Sequence, residues 1–140
     1  MRLFITVIFL LCFITVIPLN ETTGQDTGWE PAEGELMTKW AENVGPDNAL
    51  PEYPRPMMER DNWQNLNGLW DFAITRKGRS PDEYKEQILV PYPIESALSG
   101  VKKEVGAANR AWYKRTFTVD QPGEDERVLL HFGASDWGTY

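Results

Sequence analysis

Apolar and polar positions alternate most clearly in residues 62–74, which read NWQNLNGLWDFAI. Trp70, Phe72 and Ile74 fall on one face of a strand over 68–74, because successive side chains of a strand point to opposite faces. Large apolar side chains at a period of two are usually buried in the core of a sheet. We therefore predict that this strand is the centre of the fold.

Three more segments carry strand patterns, each closed by glycine or proline. They are residues 87–90, 112–119 and 127–132, and a fifth strand begins at 137–140. Strands separated by such turns indicate an all-β fold, a Greek-key or jelly-roll sandwich. Since that sandwich needs about seven or eight strands, we expect it to be incomplete at the C-terminus and the chain to be the N-terminal part of a longer protein.

The predicted strands at 112–119 and 127–132 also have two different faces. Tyr113, Arg115 and Phe117 share one face of the third predicted strand, and Trp112 and Lys114 lie on the other. The fourth predicted strand has an apolar face of its own, which consists of Val128, Leu130 and Phe132. Each strand therefore offers one face to a shared core.

The N-terminus follows a different pattern. An almost unbroken apolar run at 3–17 comes after Arg2, and a polar segment at 19–28 follows it. One positive charge, about fifteen apolar residues and small residues near Gly24 are typical of a secretory signal peptide, and the run is short for a membrane span. We predict a signal peptide at 1–24, export to the periplasm or the extracellular space, and no membrane association after cleavage.

Residues 25–61 are predicted to form a strap that precedes the sandwich domain at 62–140. Leu36, Trp40 and Val44 would share one face of a short helix over 35–44, whereas an irregular strap would tuck Trp40 into the domain; the pattern leaves both open. The proline-rich residues 47–58 favour an extended path across the surface.

Composition narrows the function classes. The net charge is −7 and no basic block occurs, so we expect no nucleic-acid partner. The single cysteine, Cys12, lies in the leader, and His131 is the single histidine, so we predict no thiolate nucleophile, no metal site and no cofactor. Six tryptophans suit either sugar stacking or a Trp-rich core.

Five segments in order resemble the N-terminal sugar-binding domain of glycoside hydrolase family 2, which includes β-galactosidases, β-glucuronidases and β-mannosidases. They are PRP at 54–56, NWQNLNGLWDFAI at 62–74, ILVPYPIESALSGV at 88–101, WYKRTFTV at 112–119 and RVLLHFGASDWGTY at 127–140. The resemblance implies a jelly-roll, galactose-binding-like β-sandwich. It also implies immunoglobulin-like and barrel domains further along the same protein, and a carbohydrate substrate.

The resemblance further implies retaining hydrolysis of a β-linked glycoside, in which one carboxyl group protonates the leaving oxygen and the other attacks the anomeric carbon. In the family both glutamates come from the barrel. No acidic residue of this chain matches either catalytic motif, so we assign no catalytic residue here. A stand-alone carbohydrate-binding module and a sandwich that binds no sugar are the alternatives.

Several side chains are candidates for a wall of a sugar-binding site. Trp112 suits a wall or a core, and Asp136 and Trp137 lie where the fifth strand begins. An arginine can clamp a carboxylate with two hydrogen bonds, which makes Asn109 and Arg110, expected in a loop before a strand, candidates of the same kind.

Each candidate also has a plain structural explanation. Asp136 in a turn commonly bonds its own backbone, and Arg110 suits a solvated loop charge. His131 has no partner carboxylate in an obvious motif, so we interpret it as a surface histidine rather than a general base. We therefore assign no substrate-binding, catalytic or metal-ligating residue from the sequence.

Overall fold

The computed structural model describes residues 28–34 and 37–135. Within this part the chain forms three strands: β1 is Gly68–Arg76, β2 is Glu86–Val90 and β3 is Asn109–Lys114. Three short 3-10 helices occupy Ala41–Asn43, Pro56–Met58 and Ala97–Ser99. The predicted signal peptide and the predicted fifth strand, with Asp136 and Trp137, lie outside the described residues.

The strands form one antiparallel sheet in the order β2–β1–β3, so β1 is central. Trp70 lies opposite Ile88 of β2, and Phe72 lies opposite Tyr113 of β3. The described chain is thus β-rich with no long helix, and the strands predicted around 68–74 and 87–90 are confirmed.

The predicted apolar face of β1 covers the core. Phe72 and Ile88 have no exposed surface, and Ile94 from the turn after β2 is 7% exposed. The partly buried side chains packed against these three are Trp70, Ile74, Val90, Val101, Val105 and Ala111. Burial of one such large side chain contributes about 1.5–3 kcal/mol, so Phe72 and Ile88 each add substantially to the apolar stabilisation of the sheet.

A buried serine holds the turn that carries Ile94. The Ser99 hydroxyl lies within 3.0 Å of the Ile94 carbonyl oxygen and 2.8 Å of the Ser96 carbonyl oxygen. It also accepts the backbone N–H groups of Val101 and Lys102. A fully buried polar group is tolerated when it is bonded in this way, and the bonds fold the turn back over the core.

The third strand begins and ends earlier than its pattern predicts. Asn109 and Arg110 open β3 rather than lying in a loop, and the ladder stops at Lys114 instead of residue 119. The cause is Arg115, whose Nη1 lies 2.9 Å from the Asn67 carbonyl oxygen and 3.4 Å from that of Leu69. The guanidinium occupies the edge of β1 where a longer β3 would pair.

The predicted strand at 127–132 is wrong. Val128, Leu129 and Leu130 are 53%, 50% and 56% exposed, so neither face of the segment is buried. A strand's register is fixed by one buried face, and this segment joins no ladder within the described part of the chain.

Of the two alternatives for residues 35–44, the helix is not observed in its described part, where only the 3-10 turn Ala41–Asn43 forms. Asn48 ends the turn: its amide donates to the Asn43 carbonyl at 2.7 Å and accepts from the Gly45 N–H at 2.6 Å. A side chain thereby replaces a further helical turn. Trp40 is 67% exposed, so it is not tucked into the domain either.

Hydrogen bonds tie the strap to the sheet domain. The Ala32 N–H donates to the Ala97 carbonyl at 2.9 Å, beside the serine-centred turn. The side-chain amides of Asn65 and Asn67 both donate to the carbonyl of Leu50, at 3.0 and 3.1 Å. Leu50 has a φ of 46°, a left-handed conformation that is costly for a leucine and persists because the surrounding bonds hold it.

Truncation of two phenylalanines tests where β3 ends. Phe72→Ala should lower the free energy of unfolding by about 3–5 kcal/mol, because a fully buried ring leaves a cavity. Phe117→Ala should cost about 0.5–1 kcal/mol, since this ring lies past the strand and is 40% exposed. Urea unfolding followed by tryptophan fluorescence measures both, and equal losses would contradict a strand that stops at Lys114.

Alanine substitutions at two glycines distinguish the cost of backbone strain from the cost of a steric clash with neighbouring atoms. Gly68 has a φ of +117°, and an added Cβ would lie 2.9 Å from Arg115 Nη1 and 3.1 Å from the Pro46 carbonyl oxygen. Gly78 has a φ of +84° with nothing within 4 Å of the added atom. We expect Gly78→Ala to cost about 1–2 kcal/mol from strain alone. Gly68→Ala should cost about 1–3 kcal/mol more from overpacking, measured by the same unfolding experiment.

Candidate functional site

The face of β3 opposite the core carries two cations and an aromatic ring. Alternation along the strand puts Arg110, Trp112 and Lys114 on this face, while Tyr113 points to the core side and meets Phe72 edge-on at 5.1 Å. We call the surface formed by Arg110, Trp112 and Lys114 the β3 platform. Arg110 and Lys114 are exposed and Trp112 is half-buried.

The indole of Trp112 is fixed through its N–H group. Its Nε1 donates to Thr75 Oγ1 at 2.7 Å, and the same hydroxyl donates to the Arg79 carbonyl at 2.7 Å. The two bonds set the ring orientation from the end of β1. Because the N–H group is already used, Trp112 offers a partner its ring face rather than a hydrogen bond.

Each cation of the β3 platform lies near an aromatic ring. The Arg110 guanidinium carbon is 5.8 Å from the Trp112 ring centroid, and Lys114 Nζ is 5.5 Å from that of Tyr84. Cation–π contact extends to about 6 Å, so the Arg110 guanidinium is within reach of the face of the indole. Asp71 is opposite Lys114 across the ladder and supplies the neighbouring negative charge.

Sequence reasoning considered Trp112 and Arg110 separately, and the structure brings them together because β3 begins at Asn109. The sequence reasoning did not identify Lys114, Thr75 or Tyr84 as residues of this surface. The shared face of Trp112 and Lys114 was already readable, and extending the strand by three residues would have added Arg110.

Asn109 has a structural role. Its side-chain amide donates to the Val105 carbonyl at 2.8 Å, and its backbone N–H donates to the Gly106 carbonyl at 3.2 Å. These bonds close the turn that leads into β3. The side-chain donor is therefore engaged in shaping the turn.

His131 lies in a separate aromatic cluster. Its ring centroid is 6.0 Å from that of Trp63, which in turn is 4.7 Å from that of Tyr53. No carboxylate partner of His131 is observed in the described residues, and its side chain is exposed. The histidine thus packs at the end of an aromatic stack that joins the strap to the segment before β1.

A surface cleft of about 410 Å³ lies where the strap meets the sheet edge. It is lined by Gly28, Trp29, Glu30, Lys85, Gln87 and Gly100. The Trp29 Nε1 atom is buried without a hydrogen-bond partner, and an added Cβ at Gly100 would lie 2.5 Å from it. The indole N–H therefore faces the glycine backbone instead of the open cleft.

Two tyrosines have raised pKa values. Burial, and then the negative charge of Glu95, raises the pKa of Tyr113 above its ordinary value. Burial, and then Glu52, raises the pKa of Tyr92 in the same direction. Both hydroxyls are neutral at pH 7, so the phenol of Tyr113 adds no negative charge to β3.

Two further features are absent from residues 28–34 and 37–135. No group of three His, Cys, Asp or Glu side chains in this part of the chain is arranged to hold a metal ion. None of its helices is long and apolar enough to cross a membrane.

Comparison with known proteins gives no identification. No protein-family model matches the chain. A search of curated proteins also found no match. The family resemblance of the ordered segments therefore stays a prediction from the sequence.

Replacement of Thr75 tests how the β3 platform is built. Thr75→Val keeps the shape of the side chain but removes the acceptor for Trp112 Nε1. We expect a loss of about 1–2 kcal/mol in the free energy of unfolding and a shifted tryptophan emission. Thr116→Val, an exposed threonine past the end of β3, should change neither. Unchanged emission in Thr75→Val would mean that the bond does not hold the ring.

Proposed function

We propose that this chain is the N-terminal sugar-binding part of an exported retaining β-glycosidase of glycoside hydrolase family 2, with a jelly-roll sandwich fold. In this proposal the catalytic glutamates belong to a barrel domain of the same protein. The sugar-binding domain forms one wall beside that site and positions the carbohydrate. The immunoglobulin-like domain lies between the two along the chain.

The observation that carries the proposal is the ordered set of five sequence segments. Three of them contribute strands that pair in one antiparallel sheet: 62–74 contains most of β1, 88–101 begins within β2, and 112–119 contains the end of β3. The segment 88–101 also supplies Ile94 and Ser99, which cover and close the core. These three segments are thus parts of one packed sheet rather than isolated matches.

The β3 platform supports a role in sugar binding. It combines a fixed aromatic ring with flanking side chains that can donate hydrogen bonds, namely Arg110 and Lys114. Sugar recognition needs an apolar ring face against the C–H face of the sugar, and polar groups for its hydroxyls. Loops and sheet faces with this chemistry bind ligands while a rigid sheet holds them in place.

Covalent trapping tests the reaction type. The natural protein, purified from the exported fraction, is incubated with 2-deoxy-2-fluoro β-glycosyl fluorides of galactose, glucuronic acid and mannose, in which fluoride is the leaving group. A retaining enzyme forms a glycosyl–carboxylate bond that the fluorine makes slow to hydrolyse. We expect one added sugar by mass spectrometry, on a glutamate beyond residue 140, and parallel loss of aryl β-glycoside hydrolysis.

The control is the same protein with the labelled glutamate replaced by glutamine. It should neither trap the sugar nor hydrolyse the aryl glycoside, while still binding the carbohydrate. Hydrolysis with inversion at the anomeric carbon would contradict the proposed mechanism. Glycan binding by a natural protein without any hydrolysis would favour the stand-alone carbohydrate-binding module.

A further inference from the structure

One Asn–Gly pair occurs in the chain, at Asn67–Gly68, where the segment before β1 enters the sheet. In such a pair the backbone nitrogen of the glycine can attack the side-chain amide carbon of the asparagine, because no Cβ shields that nitrogen. Gly68 is the first residue of β1 and has a φ of +117°. The reactivity of the pair therefore depends on what holds its two reacting atoms apart.

We propose that Asn67 is a site of spontaneous isoaspartate formation, which the strap slows while it is docked and which Arg115 directs. Ring closure forms a bond between Gly68 N and Asn67 Cγ, and the side-chain nitrogen leaves as ammonia with the proton of the Gly68 N–H. Water then opens the five-membered imide. Attack of water at the former backbone carbonyl carbon of Asn67 gives isoaspartate, whereas attack at Cγ gives aspartate.

The docked strap opposes ring closure. Asn67 Nδ2 donates to the Leu50 carbonyl at 3.1 Å, and Asn65 Nδ2 donates to the same oxygen at 3.0 Å. The Asn65 side chain also accepts the Asn67 N–H at 2.8 Å. These bonds fix the Asn67 amide at the strap, so the side chain must leave Leu50 before it can turn towards Gly68 N.

The contact at Leu50 can open without unfolding of the core. Leu50 is 53% exposed and has a left-handed φ of 46°, which a leucine adopts at a cost. Exposed segments of this kind open at free energies well below that of global unfolding. The lining of a neighbouring cleft of about 110 Å³ includes both asparagines and Asp47, so water reaches the pair.

Arg115 favours one of the two products. Its Nη1 lies 2.9 Å from the backbone carbonyl oxygen of Asn67, and the same oxygen belongs to the imide after ring closure. A cationic donor stabilises the negative charge that develops on this oxygen when water attacks its carbon. Attack there breaks the bond to Gly68 N and leaves a free α-carboxylate, which Arg115 can bind as an ion pair. The position of Arg115 thus predicts isoaspartate.

Both products remove the bond to Leu50, because neither has a side-chain N–H group at residue 67. In aspartate, the new carboxylate would face the Leu50 carbonyl oxygen and add to the charge of Asp47. In isoaspartate, the main chain is one carbon longer directly before β1. The strap is thereby loosened, while the ladders of β1, which begin at Gly68 and Asp71, lie beyond the altered residue.

Incubation of the full chain in native buffer and in concentrated urea tests the inference. Peptide mapping by mass spectrometry follows the amide-to-acid mass change at residue 67, and electron-transfer fragmentation distinguishes isoaspartate from aspartate. We expect the folded chain to react about tenfold to a thousandfold more slowly than the unfolded chain, because only the open fraction reacts. We also expect a larger share of isoaspartate from the folded chain, since only there does Arg115 lie beside the imide.

A variant of Asn65 tests the contact with the strap. Asn65→Ala removes one donor to Leu50 and the acceptor of the Asn67 N–H. It should speed the reaction of the folded chain by about threefold to tenfold and leave the rate in urea unchanged. Asn62→Ala, at an exposed position of the same segment, is the matched control and should change neither rate.

A variant of Arg115 tests the direction of ring opening. Arg115→Met should lower the share of isoaspartate from the folded chain to the share found in urea, and its urea unfolding shows whether the fold is kept. Arg127→Met, which replaces an exposed arginine, should keep the wild-type share. The comparison of folded and unfolded wild type tests the same role without any substitution.

Equal rates for the folded and the unfolded wild-type chain would overturn the inference, because the strap would then offer no protection. Protection far beyond about a thousandfold would also overturn it, since Asn67 would then react only on global unfolding. Equal shares of isoaspartate in the two states of the wild type would remove the role of Arg115. These results are independent of covalent trapping, which tests hydrolysis.

Discussion

The pairing of β1 with both of its neighbours is the interaction on which the described fold depends. β2 and β3 each pair with β1 and not with each other, and Phe72 lies in both ladders. Its side chain is fully buried beside Ile88 of one neighbour and contacts Tyr113 of the other. Backbone pairing and apolar burial thus converge on a single strand, and the turn closed by Ser99 covers it.

The elements that could be predicted from the sequence are those that depend on neighbouring residues alone. The face formed by Trp70, Phe72 and Ile74 follows from alternation alone, so it was correct. The end of β3 was not predictable in this way, because Arg115 acts on carbonyl groups 46 and 48 residues earlier in the chain. The choice between a helix and an irregular strap at 35–44 could not be made from the apolar pattern for a similar reason, since Asn48, which lies beyond that pattern, bonds the backbone at Asn43.

The candidate site shows the same limit. Trp112 and Arg110 were both found as residue types that suit sugar binding, yet their common face became visible only with the true start of β3. Thr75 could not be found from the sequence, because its link to Trp112 joins positions 37 residues apart. Strand alternation does connect Arg110, Trp112 and Lys114 once the strand is placed, so most of the site follows from one boundary.

The bonds to the Leu50 carbonyl set an order of events during synthesis. Its two donors, Asn65 and Asn67, lie 15 and 17 residues later in the chain, directly before β1. Until those residues have been made, the Leu50 carbonyl has neither of these donors, so the two bonds cannot yet hold the left-handed conformation of Leu50. The contact between the strap and the sheet domain at Leu50 can therefore form only once the residues directly before β1 have been made.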